Sequence, residues 1–154
     1  MPLTYNNRKA LVTGAGRGIG KAIAKLLASE GVAVACVSKT ETRCESAANE
    51  ILASGGEARA YAVDVSDEET VSSAAKQILE DFGCIDILVN NAGMTKDGLI
   101  LRMTAESWRE VMDTNLTSCF YWARNLAHSM VRRRWGRIVN ISSVVGLTGN
   151  AGQS

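Results

Sequence analysis

The sequence predicts an α/β fold: a doubly wound parallel sheet with helices on both faces. Three observations predict it. Short apolar runs alternate with stretches of helical periodicity along all 154 residues. The runs are continuous rather than polar–apolar alternating, as in parallel strands covered on both sides. A glycine-rich segment stands between the first run and the first helical stretch. A repeated strand–helix–strand order demands right-handed crossovers, which place helices on both faces of the sheet. In such a fold ligands bind beyond the carboxyl ends of the strands, where the strand order reverses.

The elements follow in order. Strands are predicted at Ala10-Leu11-Val12, Val32 to Val37, Ala58 to Val63, Ile85 to Val89 and Arg137 to Ile141. Ile19, Ala22, Ile23, Leu26 and Leu27 recur at i, i+3, i+4, i+7 and i+8, predicting an amphipathic first helix whose core stripe they form. Val71, Ala74, Ala75, Ile78, Leu79 and Phe82 repeat that spacing in the third. Gly31 and Gly83 stand where glycines close helices, and Ser66 or Asp67 caps the third helix, with Glu68 and Glu69 in its first turn. A fourth helix begins at Thr104 and runs to about Arg133, with an apolar stripe of Trp108, Val111, Met112, Leu116, Cys119 and Phe120. The only proline, Pro2, precedes every element, so no helix is interrupted.

Composition narrows the functional classes. A chain of this length with 46% apolar residues makes one domain with a proper core, residues 1–154, and excludes disorder. A net charge of +1 provides no field toward nucleic acid or membrane, and no apolar run is long enough to span a bilayer. The N-terminus lacks the apolar stretch of a secretory signal, so the expected compartment is cytoplasmic, with mitochondrion or plastid as alternatives. Cys36, Cys44, Cys84 and Cys119 have neither metal-ligand nor redox-pair spacing, and read as reduced thiols filling the core. His128 stands alone, and no metal site is expected.

The segment Thr13-Gly14-Ala15-Gly16-Arg17-Gly18-Ile19-Gly20 links strand to helix. Glycines there let the backbone turn sharply and approach a pyrophosphate, which the free N–H groups of the helix N-terminus would hold. A rival is the G-x-G-x-G loop of adenosylmethionine methyltransferases, which Gly14, Gly16 and Gly18 satisfy. The acids that accompany that loop are absent: Val12 precedes it, and strand two closes on Ser38 and Lys39. A carboxylate at that closing position would hold the ribose 2′-hydroxyl of NAD. With Ser38 and Lys39 there, and Arg17 in the loop, the residues favour a 2′-phosphate and therefore NADP(H). Glu41 keeps NAD as the alternative.

These residues carry a family resemblance. Thr13–Gly20 resembles the TGxxxGxG motif of short-chain dehydrogenases/reductases, which share a Rossmann-like fold. Asp64-Val65 resembles the pair that contacts the adenine; Asn90-Asn91-Ala92-Gly93 resembles the motif beside the cofactor; Ile138 to Ser143 resembles the serine-bearing fifth strand. Gly93 to Leu99, with Val144-Val145-Gly146 after the serine, is similar to 3-oxoacyl-(acyl-carrier-protein) reductases. The resemblance implies that Ser143 hydrogen-bonds a substrate carbonyl and that Asn115 holds the water of a proton relay. Asn115 also stands out by itself, as an amide on the predicted apolar stripe, where burial without partners would cost about 1–3 kcal/mol.

The family's proton donor is the tyrosine of a Tyr-x-x-x-Lys pair, expected just past Ser154. Tyr5-Asn6-Asn7-Arg8-Lys9 spells that pattern ahead of the first strand, at the wrong end of the sheet. Tyr61 and Tyr121 have no lysine four residues on. The chain therefore reads as the N-terminal five β-α units of a family domain, C-terminally incomplete and inactive alone, with an uncovered fifth strand and poor solubility. The intact form is expected to be a homotetramer acting on a carrier-protein-linked or small carbonyl substrate. The alternative is a non-catalytic dinucleotide-binding or interaction module. The cluster Arg132-Arg133-Arg134-Trp135-Gly136-Arg137 complements a helix C-terminus; the resemblance adds that Arg134 docks an acidic carrier protein.

Overall fold

The computed structural model describes Tyr5 and residues 7–153. Five strands, β1 (Lys9–Thr13), β2 (Ala33–Ser38), β3 (Ala58–Ala62), β4 (Ile87–Asn90) and β5 (Arg137–Asn140), form one parallel sheet in the order β3-β2-β1-β4-β5. All five lie within a residue or two of the predicted runs. Helices α1 (Gly18–Ser29) and α2 (Glu41–Ala53) cover one face, and α3 (Glu68–Phe82) covers the other with α5 (Ser118–Arg132). Between β4 and α5 lie a 3-10 turn at Ile100–Arg102, α4 (Ala105–Met112) and a π-helical segment at Asp113–Thr117. After β5 a four-residue helix, α6, spans Val145–Thr148.

Side chains of adjacent strand residues serve opposite faces. Ala10 and Val12 of β1 join the cluster of α1 and α2, whereas Leu11 joins that of α3 and α5. The chain leaves β3 at one edge and returns beside β1 as β4, so the order reverses between β1 and β4. The carboxyl ends of those two strands, Thr13 and Asn90, open the crevice where such folds bind ligands.

The expected helix ends are in place. The Asp67 carboxylate accepts from the Thr70 N–H at 2.7 Å, and the Thr104 hydroxyl oxygen accepts from the Ser107 N–H at 3.1 Å. Gly83 closes α3 with φ 75°. Two predicted core stripes are corrected. In α1 the buried residues are Gly20, Ala24 and Ala28, flanked by Ile23 and Leu27, while Ile19 and Leu26 are about two-thirds exposed. Small side chains let the helix approach the sheet closely, so the contact stripe centres on them rather than on the largest residues. The fourth helix is not continuous: the π segment adds a residue to the turn and rotates the helix beyond it. The buried face of α5 becomes Ser118, Trp122, Leu126 and Met130, and Trp108, Leu116 and Phe120 face outward.

The fifth strand is one of the sheet's two outer strands. All four of its residues are exposed, with Ile138 and Val139 each 44% exposed. At the opposite, amino end of the sheet lies the deepest charge. Asp86 is fully buried, accepts from the Lys9 N–H at 3.0 Å, and pairs with Arg8 at 3.3 Å and Arg133 at 3.5 Å. Arg8 stacks 3.8 Å above the Trp135 ring.

Candidate functional site: a nucleotide cleft and an adjoining cavity

The first helix begins without a capping side chain. Arg17 occupies the cap position with extended backbone and makes no capping hydrogen bond, and α1 has no acidic residue in its first turn. Its leading N–H groups and the positive end of its dipole are thus left for an anion. The glycines before it have separate tasks. Gly18 has φ 53°, and a Cβ there would meet nothing within 4 Å, so it faces the open cradle. A Cβ on Gly20 would lie 2.3 Å from the Gly14 carbonyl oxygen and 2.4 Å from Asn91 Nδ2. A Cβ on Gly16 would lie 2.7 Å from Arg43 Cβ. Gly20 therefore lets the loop close on β4, and Gly16 lets α2 close on the loop. These features fit a nucleotide diphosphate: an open cradle, an uncompensated helix end and close backbone approach.

Beside the loop is a cleft of about 320 Å³. Of the residues singled out from sequence, Gly14, Gly16, Arg17, Ser38, Lys39, Asp64, Val65, Ala92 and Gly93 line it, joined by Arg43, Met94 and Thr114. Gly18 and Ile19 stand exposed at the start of α1. Thr13 and Asn91 serve the cleft from behind. Thr13 is only 2% exposed. Its hydroxyl oxygen accepts from the N–H groups of Asn91 and Ala92, both at 2.9 Å. The Asn91 amide donates to the Thr13 carbonyl at 3.0 Å. These two side chains clamp β1 to the turn after β4.

Replacing Thr13 by valine keeps the shape and removes that acceptor. Two N–H groups lose their partner, a cost of about 2–4 kcal/mol. Thermal unfolding of Thr13→Val should show it, and Thr13→Ser should recover most of the loss. Equal melting of the valine variant and the wild type would mean that the clamp does not hold the turn.

At the end of the cleft formed by β2 and β3, Lys39 and Asp64 meet in an ion pair of 2.6 Å. Burial pushes the Asp64 carboxyl up, but hydrogen bonds from Lys39 and from the Ser66 hydroxyl and N–H outweigh it and hold the group below its ordinary value. The same hydrogen bond raises Lys39. A depressed carboxylate contributes stability that is complete above its unfolded value, ~3.9, and is lost as pH falls through the lower folded value. Asp64→Asn should therefore be less stable than the wild type at neutral pH, and the difference should vanish in acid titrations below the carboxylate range. A difference independent of pH would remove the ion pair as its cause.

A second cavity, of about 400 Å³, adjoins the first at Met94, which lines both. Ser143 and Asn115 line it together, with Met103, Trp108, Val111 and Met112 as its apolar wall. Asn115 is corrected from a core amide to an exposed one: it sits in the π segment, not on a buried stripe. Its oxygen accepts from the Met94 N–H and its amide donates to the Met94 carbonyl, both at 2.8 Å. The Ser143 hydroxyl oxygen accepts from the Val145 N–H at 3.2 Å. That bond fixes the oxygen and leaves its proton to donate.

The remaining candidates fall elsewhere. Tyr5 and Lys9 are at the amino end of the sheet, where the Lys9 ammonium donates to the Phe82 carbonyl; Asn6 between them lies outside the described residues. The Tyr61 hydroxyl donates to Asp81 at 2.6 Å. The cysteines are free, and burial pushes the Cys36 thiol up to about 12, an unreactive state. His128 is exposed on α5. Sequence reasoning missed Arg43; the signal available was a second cation four residues past Lys39, in the first turn of a helix that opens at the cleft.

A parallel sheet with a glycine loop opening a helix at its switch point defines a nucleotide-binding type of α/β protein. The profile of short chain dehydrogenases matches residues 8–154. The chain belongs to the short chain dehydrogenase family. It is 43% identical over 152 residues to the 3-oxoacyl-(acyl-carrier-protein) reductase FabG of Vibrio cholerae, covering 99% of this chain and 61% of that protein. It is 45% identical to nodulation protein G of a Rhizobium species, covering 96% of this chain and 59% of that protein. The chain thus spans about three-fifths of the length of these curated relatives. A metagenomic short-chain oxidoreductase solved in complex with NADP superimposes with a TM-score of 0.93 at 34% identity, covering 97% of this chain and 68% of that one. An NAD+-bound xylitol dehydrogenase superimposes with a TM-score of 0.92 at 35% identity, covering 97% and 58%.

Proposed function

We propose that the chain forms the nucleotide-binding part of an NADP(H)-dependent reductase that converts a 3-oxoacyl thioester, or a similar carbonyl, to the 3-hydroxy compound. The observation that carries the cofactor class is the uncapped, acid-free start of α1 beside Gly18. The preference for NADP(H) is supported by Arg17 in the loop and by the carboxyl end of β2, which carries Ser38 and Lys39 and no carboxylate of its own, Asp64 meeting Lys39 from beyond β3. The two structural neighbours hold different nicotinamide cofactors, so fold alone does not choose. The substrate class is supported by the reductases among the relatives.

The cofactor, when bound, supplies the hydride. The chain supplies position and hydrogen bonds. Gly14 to Gly20 hold the diphosphate, and Asp64 with Val65 borders the adenine. The Ser143 hydroxyl donates to the carbonyl oxygen as charge develops there. Asn115 keeps the Met94 turn in register between the two cavities and holds the relay water. No tyrosine lines the Ser143 cavity among the described residues, so the proton donor is not among its walls and the chain alone is expected to bind without turnover. Binding without turnover is also what the non-catalytic module would show. The exposed Leu116 and Phe120 support pairing into a tetramer. Arg134 belongs to the basic cluster at the amino end and supports docking of an acidic carrier protein; carrier binding indifferent to both salt and Arg134→Glu would remove that role. A cytoplasmic location is proposed; no described helix is long and apolar enough to cross a membrane.

Calorimetric titration with NADPH and NADH tests the reading. Binding of NADPH roughly tenfold or more tighter than NADH supports it. Equal affinity removes the NADP(H) preference, and binding of adenosylmethionine instead of either removes the family mechanism.

A further inference from the structure

Two buried polar atoms have no hydrogen-bond partner among the described residues: the Trp122 indole nitrogen and the Asn90 side-chain oxygen. Trp122 has no solvent access and Asn90 is 4% exposed. One atom carries a donor and the other is an acceptor, so each offers what the other lacks. A buried polar group left alone costs about 1–3 kcal/mol, and protein interiors meet that cost with a partner or an ordered water.

The fold brings the two atoms to one place. The Ser129 hydroxyl reaches the Ile85 carbonyl at 3.5 Å, and the Asn115 side chain bonds the Met94 backbone at 2.8 Å. These contacts set the π segment and α5 against β4 at two levels. Trp122 lies midway between Asn115 and Ser129 in the chain, and the midpoint of Ile85 and Met94 falls at Val89 and Asn90. Val89 joins the cluster under α1 and α2, so alternation gives Asn90 the other face, where Leu88 and Trp122 pack. Helical side chains lean toward the helix N-terminus, which for α5 is the carboxyl end of the sheet, where Asn90 closes β4. Ser118, one turn before Trp122 on the same buried face, adds a third polar group. Its hydroxyl donates to the Thr114 carbonyl at 2.6 Å, which leaves the oxygen able to accept.

We propose that one buried water joins these groups, accepting from the Trp122 N–H and donating to Asn90 Oδ1 and Ser118 Oγ. Three partners are the usual complement of an internal water. The Asn90 amide nitrogen is already spent on Asn140 Oδ1 at 2.8 Å. The water therefore completes a polar chain from α5 through β4 to β5, and Asn90 becomes a positioning residue for the strand that leads to Ser143.

Magnetic resonance of the full chain with isotope-labelled tryptophan tests this. Of the three indole signals, the one missing from Trp122→Phe should be the slowest to exchange with deuterium and should still show a dipolar cross-peak to water. Trp122→Phe keeps an aromatic ring and loses the N–H. In that variant, exchange at the Ile141 N–H, which donates to the Asn90 carbonyl at 2.9 Å, should quicken roughly fivefold or more relative to the amides of β1. A general loss of stability would quicken β1 as well. A wild-type Trp122 indole without a water cross-peak, as a direct bond to Asn90 would give, overturns the proposal. So does a Trp122→Phe variant in which Ile141 exchanges no faster relative to β1 than in the wild type.

Discussion

Gly20→Ala should lower the melting temperature by roughly 10 °C and abolish measurable nucleotide binding. The added Cβ would stand 2.3 Å from the Gly14 carbonyl oxygen and 2.4 Å from Asn91 Nδ2. Neither neighbour is free to yield. Gly14 is itself held at φ 65°, and the Asn91 amide is tied to the Thr13 carbonyl. The first turn of α1 must therefore move off the loop, which costs about 3 kcal/mol and displaces the N–H groups proposed to hold the diphosphate. Gly18→Ala is the natural control. It forces a side chain into left-handed backbone but meets no atom within 4 Å, so about 1 kcal/mol is expected. If both substitutions cost the same, close approach is not what Gly20 provides.

The second large effect lies at the far end of the sheet. Removing both Arg8 and Arg133, as the double methionine variant, leaves the Asp86 carboxylate fully buried with one backbone N–H as its partner. Breaking a buried pair in this way costs about 3–5 kcal/mol, because the remaining charge cannot reach water. Adding Asp86→Leu to the double variant should restore most of the loss, short of about 1 kcal/mol for the Lys9 N–H left without an acceptor. Chemical denaturation of the three proteins measures this. A triple variant no more stable than the double would show that the cost came from lost packing on Trp135 rather than from the stranded charge.

Much of this architecture was legible in the sequence because the relevant forces are local. Continuous apolar runs located all five strands, and a carboxylate or hydroxyl three residues before an N–H located the caps Asp67 and Thr104. The glycine loop between β1 and α1 was legible because glycine spacing and strand–helix order are both written in consecutive residues. What was not legible depended on contacts distant in the chain. Ile19 and Leu26 have the periodicity of a core stripe, yet the sheet accepts the small side chains of Gly20, Ala24 and Ala28 instead. Leu116 and Phe120 have it too, but the extra residue in the π segment turns them outward and moves Asn115 from an expected core to the wall of the cavity that Trp108 also lines. The engagement of Lys39 by Asp64 joins residues 25 positions apart, and no local pattern announces it.

The exposed flanks of β5 have a kinetic consequence. Its amides bond to β4 alone and, among the described residues, its side chains are all exposed, whereas β1 lies between two strands with Ala10, Leu11 and Val12 fully buried. In deuterium-labelling experiments the fifth strand should equilibrate with solvent first and the first strand last, through local opening in the one case and global unfolding in the other. Protection should thus decline across the crevice, from the strand that carries the phosphate loop to the strand that carries Ser143.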